Sequence, residues 1–160
     1  MRLSWIVVAG ALAQVAIGSG DGFADDLPPG YDIKLAPASV EAVTGAEGEV
    51  SLTIAPAEGY SIDRDGPLRI TVAVEPAEGL EVPRRRYRRD DAADVRAEAP
   101  RFDLRYKAVK DGDYVMTIAA RFWICRRYTC RSVREKRRVP VRVAPPAPPP
   151  APPPNDAGPS

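Results

Sequence analysis

The stretch YVMTIAARFWIC, from Tyr114 to Cys125, decides the fold. Its side chains alternate between two sets, which are Tyr114, Met116, Ile118, Ala120, Phe122 and Ile124 on one side and Val115, Thr117, Ala119, Arg121, Trp123 and Cys125 on the other. A period of two residues is typical of a β-strand, whose side chains point alternately to the two faces of a sheet. Because both sets are largely apolar, we predict a central strand.

Shorter alternating stretches surround this strand, at residues 50–54, 68–74, 102–106 and 139–143. Pro140 interrupts the last of them and places it at a sheet edge or at a strand start. Turns containing glycine separate the stretches, and only residues 90–98 suggest a helical turn or two, or alternatively a mobile loop. Many short strands without crossover helices predict an all-β, antiparallel, immunoglobulin-like β-sandwich of about seven or eight strands.

The first residues have the layout of a secretory signal peptide. Arg2 precedes an apolar run from Leu3 to Ile17, and small residues follow it. The alternative, an uncleaved membrane anchor, is disfavoured because the run is shorter than the roughly 20 residues that span a bilayer. We therefore predict a signal peptide at 1–24 and a periplasmic or secreted protein. The signal peptide would contact the membrane only transiently, during export.

The last residues are rich in proline, since nine of the 18 prolines lie within residues 144–160. Such a composition buries little apolar surface and favours an extended, disordered tail. The alternative is a spacer or a ligand for an aromatic groove. The predicted domain therefore covers residues 25–143.

Composition narrows the possible chemistry. The chain has no histidine and two cysteines, which excludes histidine-based nucleophile schemes and four-thiolate metal sites. The acidic turns at 63–66 and 111–113 lack the later ligands of a calcium loop, so we expect no metal and no cofactor. The 23 basic and 22 acidic residues are unevenly distributed, because residues 25–83 are acidic and residues 84–143 are basic.

The two cysteines, Cys125 and Cys130, are separated by four residues at the end of the central strand. Opposed residues of an antiparallel hairpin lie about 4.5 Å apart, which permits a disulfide. The bridge is either structural or redox-active. Closing a ring of about six residues stabilises the fold by only about 2 kcal/mol, which gives a structural role little effect. Neighbouring arginines favour the thiolate, the form that exchanges, and so favour a redox role.

This hairpin resembles that of the amino-terminal periplasmic domain of DsbD-type thiol:disulfide interchange proteins. Phe122 and Trp123 precede the first cysteine as aromatic residues do in that family, and GYSIDRDGPLRI at 59–70 is similar to a Gly-Tyr segment of it. The resemblance implies an immunoglobulin-like domain in which Cys125 and Cys130 exchange electrons with an envelope thiol or disulfide protein. The activity would then be that of a thiol-disulfide oxidoreductase.

The chain also departs from the family. It carries no multi-helix membrane domain and no thioredoxin-like domain, so we expect a stand-alone secreted copy. The family's loop over the disulfide corresponds here to the basic segment RRRYRRDD at 84–91, in which Tyr87 is the only aromatic residue and hence the candidate cap.

A second hypothesis is a non-catalytic module with a structural disulfide and a basic face that binds anionic envelope components. The candidate residues are Arg84, Arg85, Arg86, Arg88, Arg89, Arg126 and Arg127. The predicted export argues against nucleic acid as a partner. The simpler alternative is that these arginines keep exposed strand edges soluble. The oligomeric state stays open.

Overall fold

The computed structural model describes residues 29–149, so the predicted signal peptide and residues 150–160 of the predicted tail lie outside the described residues. Ten strands follow one another: β1 (Tyr31–Ala36), β2 (Val40–Val43), β3 (Glu47–Pro56), β4 (Ser61–Ile62), β5 (Arg69–Glu75), β6 (Leu80–Glu81), β7 (Arg86–Arg88), β8 (Arg101–Ala108), β9 (Gly112–Arg126) and β10 (Thr129–Ala144). A four-stranded sheet has the order β1-β3-β8-β6. A six-stranded sheet has the order β2-β10-β9-β5-β7, with β4 beside the end of β9.

The predicted fold class is confirmed, because the two sheets pack as an immunoglobulin-like β-sandwich. Their inner faces form one core, and its largest fully buried side chains include Phe102, Phe122, Leu52, Ile54, Ile70, Leu104 and Met116. Strand β9 is central as predicted, since it pairs with both β10 and β5.

The strand count and one pairing direction differ from the prediction. Three of the ten strands, β4, β6 and β7, have only two or three residues, too few for an alternating pattern to be visible. The pairing of β2 with β10 is parallel, so the sandwich is not wholly antiparallel. The predicted strand at 139–143 is the end of the 16-residue strand β10 rather than a separate strand.

Pro140 lies inside β10 and does not interrupt its pairing with β9. The β9–β10 register is unbroken from the turn to Val143, and Pro140 stands opposite Val115. Cys130 and Cys125 form a non-hydrogen-bonded pair of the ladder, as their Cα–Cα distance of 4.0 Å indicates. Pro140 lies ten residues after Cys130, an even number, so it is also in a non-hydrogen-bonded pair. The missing N–H of Pro140 therefore points away from β9, which is the position where a strand tolerates proline.

The segment at 90–98 forms a single 3-10 turn, Arg89–Asp91, followed by bends and turns. Within residues 29–149 no helix is long and apolar enough to cross a membrane. Strand β10 ends at Ala144, one residue beyond the predicted end of the domain at residue 143. Residues 145–149 follow it, exposed and without regular structure.

A polar cluster links β1 of one sheet to β10 of the other. The Tyr31 hydroxyl donates a 2.6 Å hydrogen bond to Glu135, whose other oxygen accepts a 2.6 Å hydrogen bond from Arg137. Both bonds lower the pKa of Glu135, that from Tyr31 the most. Burial and the contact with Glu135 raise the pKa of Tyr31 to about 12.

These shifts predict a pH-dependent stability. A carboxyl group whose pKa falls on folding stabilises the fold above its unfolded value, and that stabilisation disappears as the pH falls through the folded value. The E135Q variant should therefore be less stable than the wild type at pH 7, with the difference shrinking towards pH 3. Urea unfolding at the two pH values measures this. E58Q, in an exposed turn, is the matched control, and an equal E135Q deficit at both pH values would contradict the prediction.

Candidate functional site

The predicted bridge between Cys125 and Cys130 is present, with an S–S distance of 2.01 Å and a Cα–Cα distance of 4.0 Å. The two residues stand directly opposite each other, one pair away from the turn. The turn itself has two residues, and Arg127 adopts a positive φ of 54°. Two-residue hairpin turns commonly require such a conformation, which is uncommon in a residue other than glycine.

The disulfide lies on the outer face of the six-stranded sheet. Ile124 on β9 and Val133 on β10 are buried and point into the core. The cysteines lie an odd number of residues from them along each strand, so they point to the outer face. Cys130 is exposed and Cys125 is half-buried. Tyr128 is fully exposed and so does not cover them. Cys130 therefore faces solvent, and Cys125 does so in part.

A carboxylate lies beside the bridge. An oxygen of Asp63 and the two Sγ atoms are all within 4.8 Å of one another. Strand β4 brings Asp63 there, because Ser61 pairs with Cys125 and the Asp63 N–H donates to the carbonyl of Trp123 at 3.0 Å. Its negative charge repels an anionic thiolate, so it acts against any attraction from cationic side chains.

The arginines next to the cysteines in sequence contact other groups. The guanidinium of Arg126 lies 5.4 Å from the ring centre of Tyr60, and that of Arg131 lies 6.0 Å from the ring centre of Tyr31. Arg131 also donates to the carbonyl of Pro29. These cation–π contacts hold both arginines on the side of the sheet opposite the disulfide.

The prediction of Tyr87 as a cap is wrong, because Tyr87 lies in the core and not over the disulfide. It lies on β7 at 6% exposure, with its ring edge against Phe102 at a centroid distance of 6.4 Å. The disulfide is on the outer face of the same sheet. Alternation along RRRYRR points the tyrosine inward and its neighbours Arg86 and Arg88 outward.

The predicted anion-binding residues do not form one surface. Arg84 makes an ion pair with Asp91, and Arg89 is half-buried and donates to the carbonyl of Asp63 at 3.1 Å. Burial lowers the pKa of Arg89, and Arg64 lowers it further. Arg85 is exposed just before β7, Arg126 and Arg127 are at the hairpin end, and only Arg86 and Arg88 project from the outer face of the sheet.

Other basic residues share that outer face. They are Arg69, Arg121, Arg134, Lys136 and Arg138, all exposed on β5, β9 and β10. The sequence indicates only that residues 84–143 as a whole are basic, a range that leaves out Arg69. Strand alternation contained part of the signal, since each has outward parity on its strand, but the strand order needed to align them is not written in the local sequence.

No family model and no curated protein matches the chain. Among solved structures, it is similar to domains 1–6 of the surface layer protein SbsC, with a TM-score of 0.47 and 14% identity over 73% of this chain and 13% of that one. It spans 50% of a structure of SbsC domains 4 and 5.

Two further structures are similar over most of their own length. A conjugative transposon lipoprotein from Bacteroides eggerthii has a TM-score of 0.39 and 15% identity, over 68% of this chain and 97% of that one. AggA, the major subunit of aggregative adherence fimbriae type I from Escherichia coli, has a TM-score of 0.34 and 8% identity, over 71% and 94%. At these identities the similarity concerns the fold and not the chemistry of the site.

Proposed function

We propose that the protein is an exported envelope domain, periplasmic or secreted, that exchanges disulfides with other proteins through Cys125 and Cys130. The observation that carries this proposal is the accessibility of the bridge, because Cys130 is exposed on the outer face at the end of a hairpin. The resemblance of the cysteine hairpin to that of DsbD-type domains supports the same chemistry.

The bridge is expected to stabilise the hairpin only slightly, which argues against a purely structural role. It joins two residues that the β9–β10 pairing already places opposite each other, within a run of 15 consecutive residue pairs. The ring that it closes is short, and the loop-closure model assigns such a ring about 2 kcal/mol. Exposed disulfides are, in addition, the more easily reduced ones. The bridge therefore contributes little to the stability of the hairpin, and its exposure suits a role in disulfide exchange.

The proposed reaction begins at the more exposed cysteine, Cys130. A partner thiolate attacks Sγ of Cys130, a mixed disulfide forms, and Cys125 leaves as a thiolate that takes up a proton from water. A second partner thiolate then attacks the partner sulfur of the mixed disulfide and releases Cys130 as a thiolate. The partner gains a disulfide, and the two electrons reside in the domain's dithiol. The reverse sequence oxidises the domain.

This order predicts different reactivities for the two single variants. C125S leaves the exposed Cys130 as the only thiol, and C130S leaves the half-buried Cys125. With oxidised glutathione as the probe, folded C125S should form the mixed disulfide at least fivefold faster than folded C130S, as measured by mass spectrometry. If neither folded variant reacts and both react only in urea, the bridge is structural and the proposal is wrong.

A further inference from the structure

The outer face of the six-stranded sheet carries an arginine row, defined here as Arg88, Arg69, Arg121 and Arg134. The strand register places them directly opposite one another, with Arg69 paired to both Arg88 and Arg121, and Arg121 paired to Arg134. All four are exposed. At about 4.8 Å between neighbouring strands, the row is roughly 14 Å long.

Further cations extend the row on one side. In the next register position, Arg86 stands opposite Thr71, and Lys136 stands opposite Ala119. Arg138 follows on β10. The small residues Thr71 and Ala119 form the floor of a depression of about 550 Å³, which Arg69, Arg121, Arg134 and Lys136 border.

These charges lack internal compensation. Within the described part of the chain, no carboxylate lies within 4.0 Å of a side-chain nitrogen of the arginine row, Arg86, Lys136 or Arg138. Asp91 accepts a 2.8 Å hydrogen bond from the backbone N–H of Arg88, not from its guanidinium. Glu135, which also borders the depression, instead binds Tyr31 and Arg137. Like charges directly opposite each other destabilise a sheet, so three consecutive pairs of arginines are costly for the folded protein.

The other sheet shows the usual solution. On the outer face of the four-stranded sheet, Glu49 stands opposite Arg105, and Lys107 stands opposite both Glu47 and Glu81. Opposite charges there compensate one another across the strands. The same chain thus neutralises one outer face and leaves the other strongly cationic, which an anionic ligand would compensate.

We infer that the arginine row binds a linear acidic polysaccharide. A row of four guanidinium groups suits a chain of carboxylates better than a single small anion, because each guanidinium can form a bidentate contact. Trp123 lies on the same face, two residues beyond Arg121 on β9, and is half-buried, so the exposed part of its side chain offers an apolar surface to a sugar. The arginine row does not contain the cysteines, and this inference does not depend on the proposed exchange.

The test uses alginate, a polymer of uronic acids, with neutral dextran and single-stranded oligothymidine as comparison ligands. The wild-type protein should bind alginate at 50 mM NaCl, lose that binding as salt rises, and not bind dextran. The double variant R69T/R121T should bind at least tenfold more weakly. The matched double variant R101T/R105T, which removes the same charge from the other sheet, should change affinity by less than twofold.

A second measurement separates loss of the site from loss of the fold. Removing like-charge pairs should leave the thermal unfolding midpoint of R69T/R121T unchanged or raise it, while its binding falls. The inference is overturned by absence of wild-type binding to alginate, by equal losses in the two double variants, by equal binding to dextran, or by stronger binding to oligothymidine than to alginate. The disulfide-free variant C125S/C130S should retain alginate binding, so failure of exchange and failure of this site are distinguishable.

Discussion

Replacing Met116 with aspartate should lower the free energy of unfolding of the domain by about 4 kcal/mol or more, because it buries an unpaired charge. Met116 is fully buried at the centre of β9, between Val74 on β5 and Val139 on β10. Neither neighbour offers a hydrogen bond or a compensating charge. Urea unfolding followed by tryptophan fluorescence and far-UV circular dichroism measures the loss.

The adjacent residue provides the matched control. Thr117 is half-buried on the outer face and stands opposite the exposed Arg138, so T117D places a carboxylate beside a cation. We expect a change within about 0.5 kcal/mol. Equal destabilisation by M116D and T117D would show that β9 does not have the inward and outward faces described above.

Truncating Phe122 to alanine should cost about 3–5 kcal/mol, because it removes a large buried ring and leaves a cavity. Phe122 is fully buried, stands opposite Val133, and contacts the ring of Tyr31 edge-on at a centroid distance of 5.1 Å. Its loss therefore weakens the packing between β1 and the hairpin that carries the disulfide. Chemical denaturation of the oxidised protein measures the effect.

The control for this cavity is W123A. Trp123 is the next residue along β9 and is half-buried on the outer face, so its truncation opens space towards solvent. It should lose less than half as much stability as F122A. A larger loss for W123A would mean that the outer face, and not the inner one, is the packed face of this strand end.

The local pattern of the sequence predicts much of the fold. The alternation from Tyr114 to Cys125 correctly indicates a central strand, and the stretches around residues 50–54, 68–74 and 102–106 correspond to β3, β5 and β8. Very short strands and the parallel pairing of β2 with β10 could not be predicted in this way. Both arise from tertiary packing of segments whose own sequence has no strong preference.

The candidate site was only partly predictable, for a related reason. The spacing of Cys125 and Cys130 is a local property, and a hairpin disulfide follows from it. Their neighbour Asp63 directly follows the two-residue strand β4, 62 residues before Cys125, and the arginine row combines residues from four strands. Contacts between distant segments depend on strand order and register, neither of which is visible in the local pattern.

Tyr87 illustrates how alternation decides a residue's role. In the sequence it is the only aromatic residue of a basic segment, which made it the candidate cap. Because the segment forms an edge strand, its middle residue turns into the core and its flanking arginines turn outward. The disulfide is thus left without this cap, and its accessibility is what the proposed exchange requires.

The measurement that tests the proposed exchange most directly is the reduction potential of the Cys125–Cys130 bridge in the folded protein. Equilibration with dithiothreitol redox couples, followed by thiol alkylation and mass spectrometry, gives its value. The proposal predicts a potential above about −300 mV, as for exposed and exchangeable disulfides. A potential below that value would place the bridge among structural disulfides and contradict the proposed function.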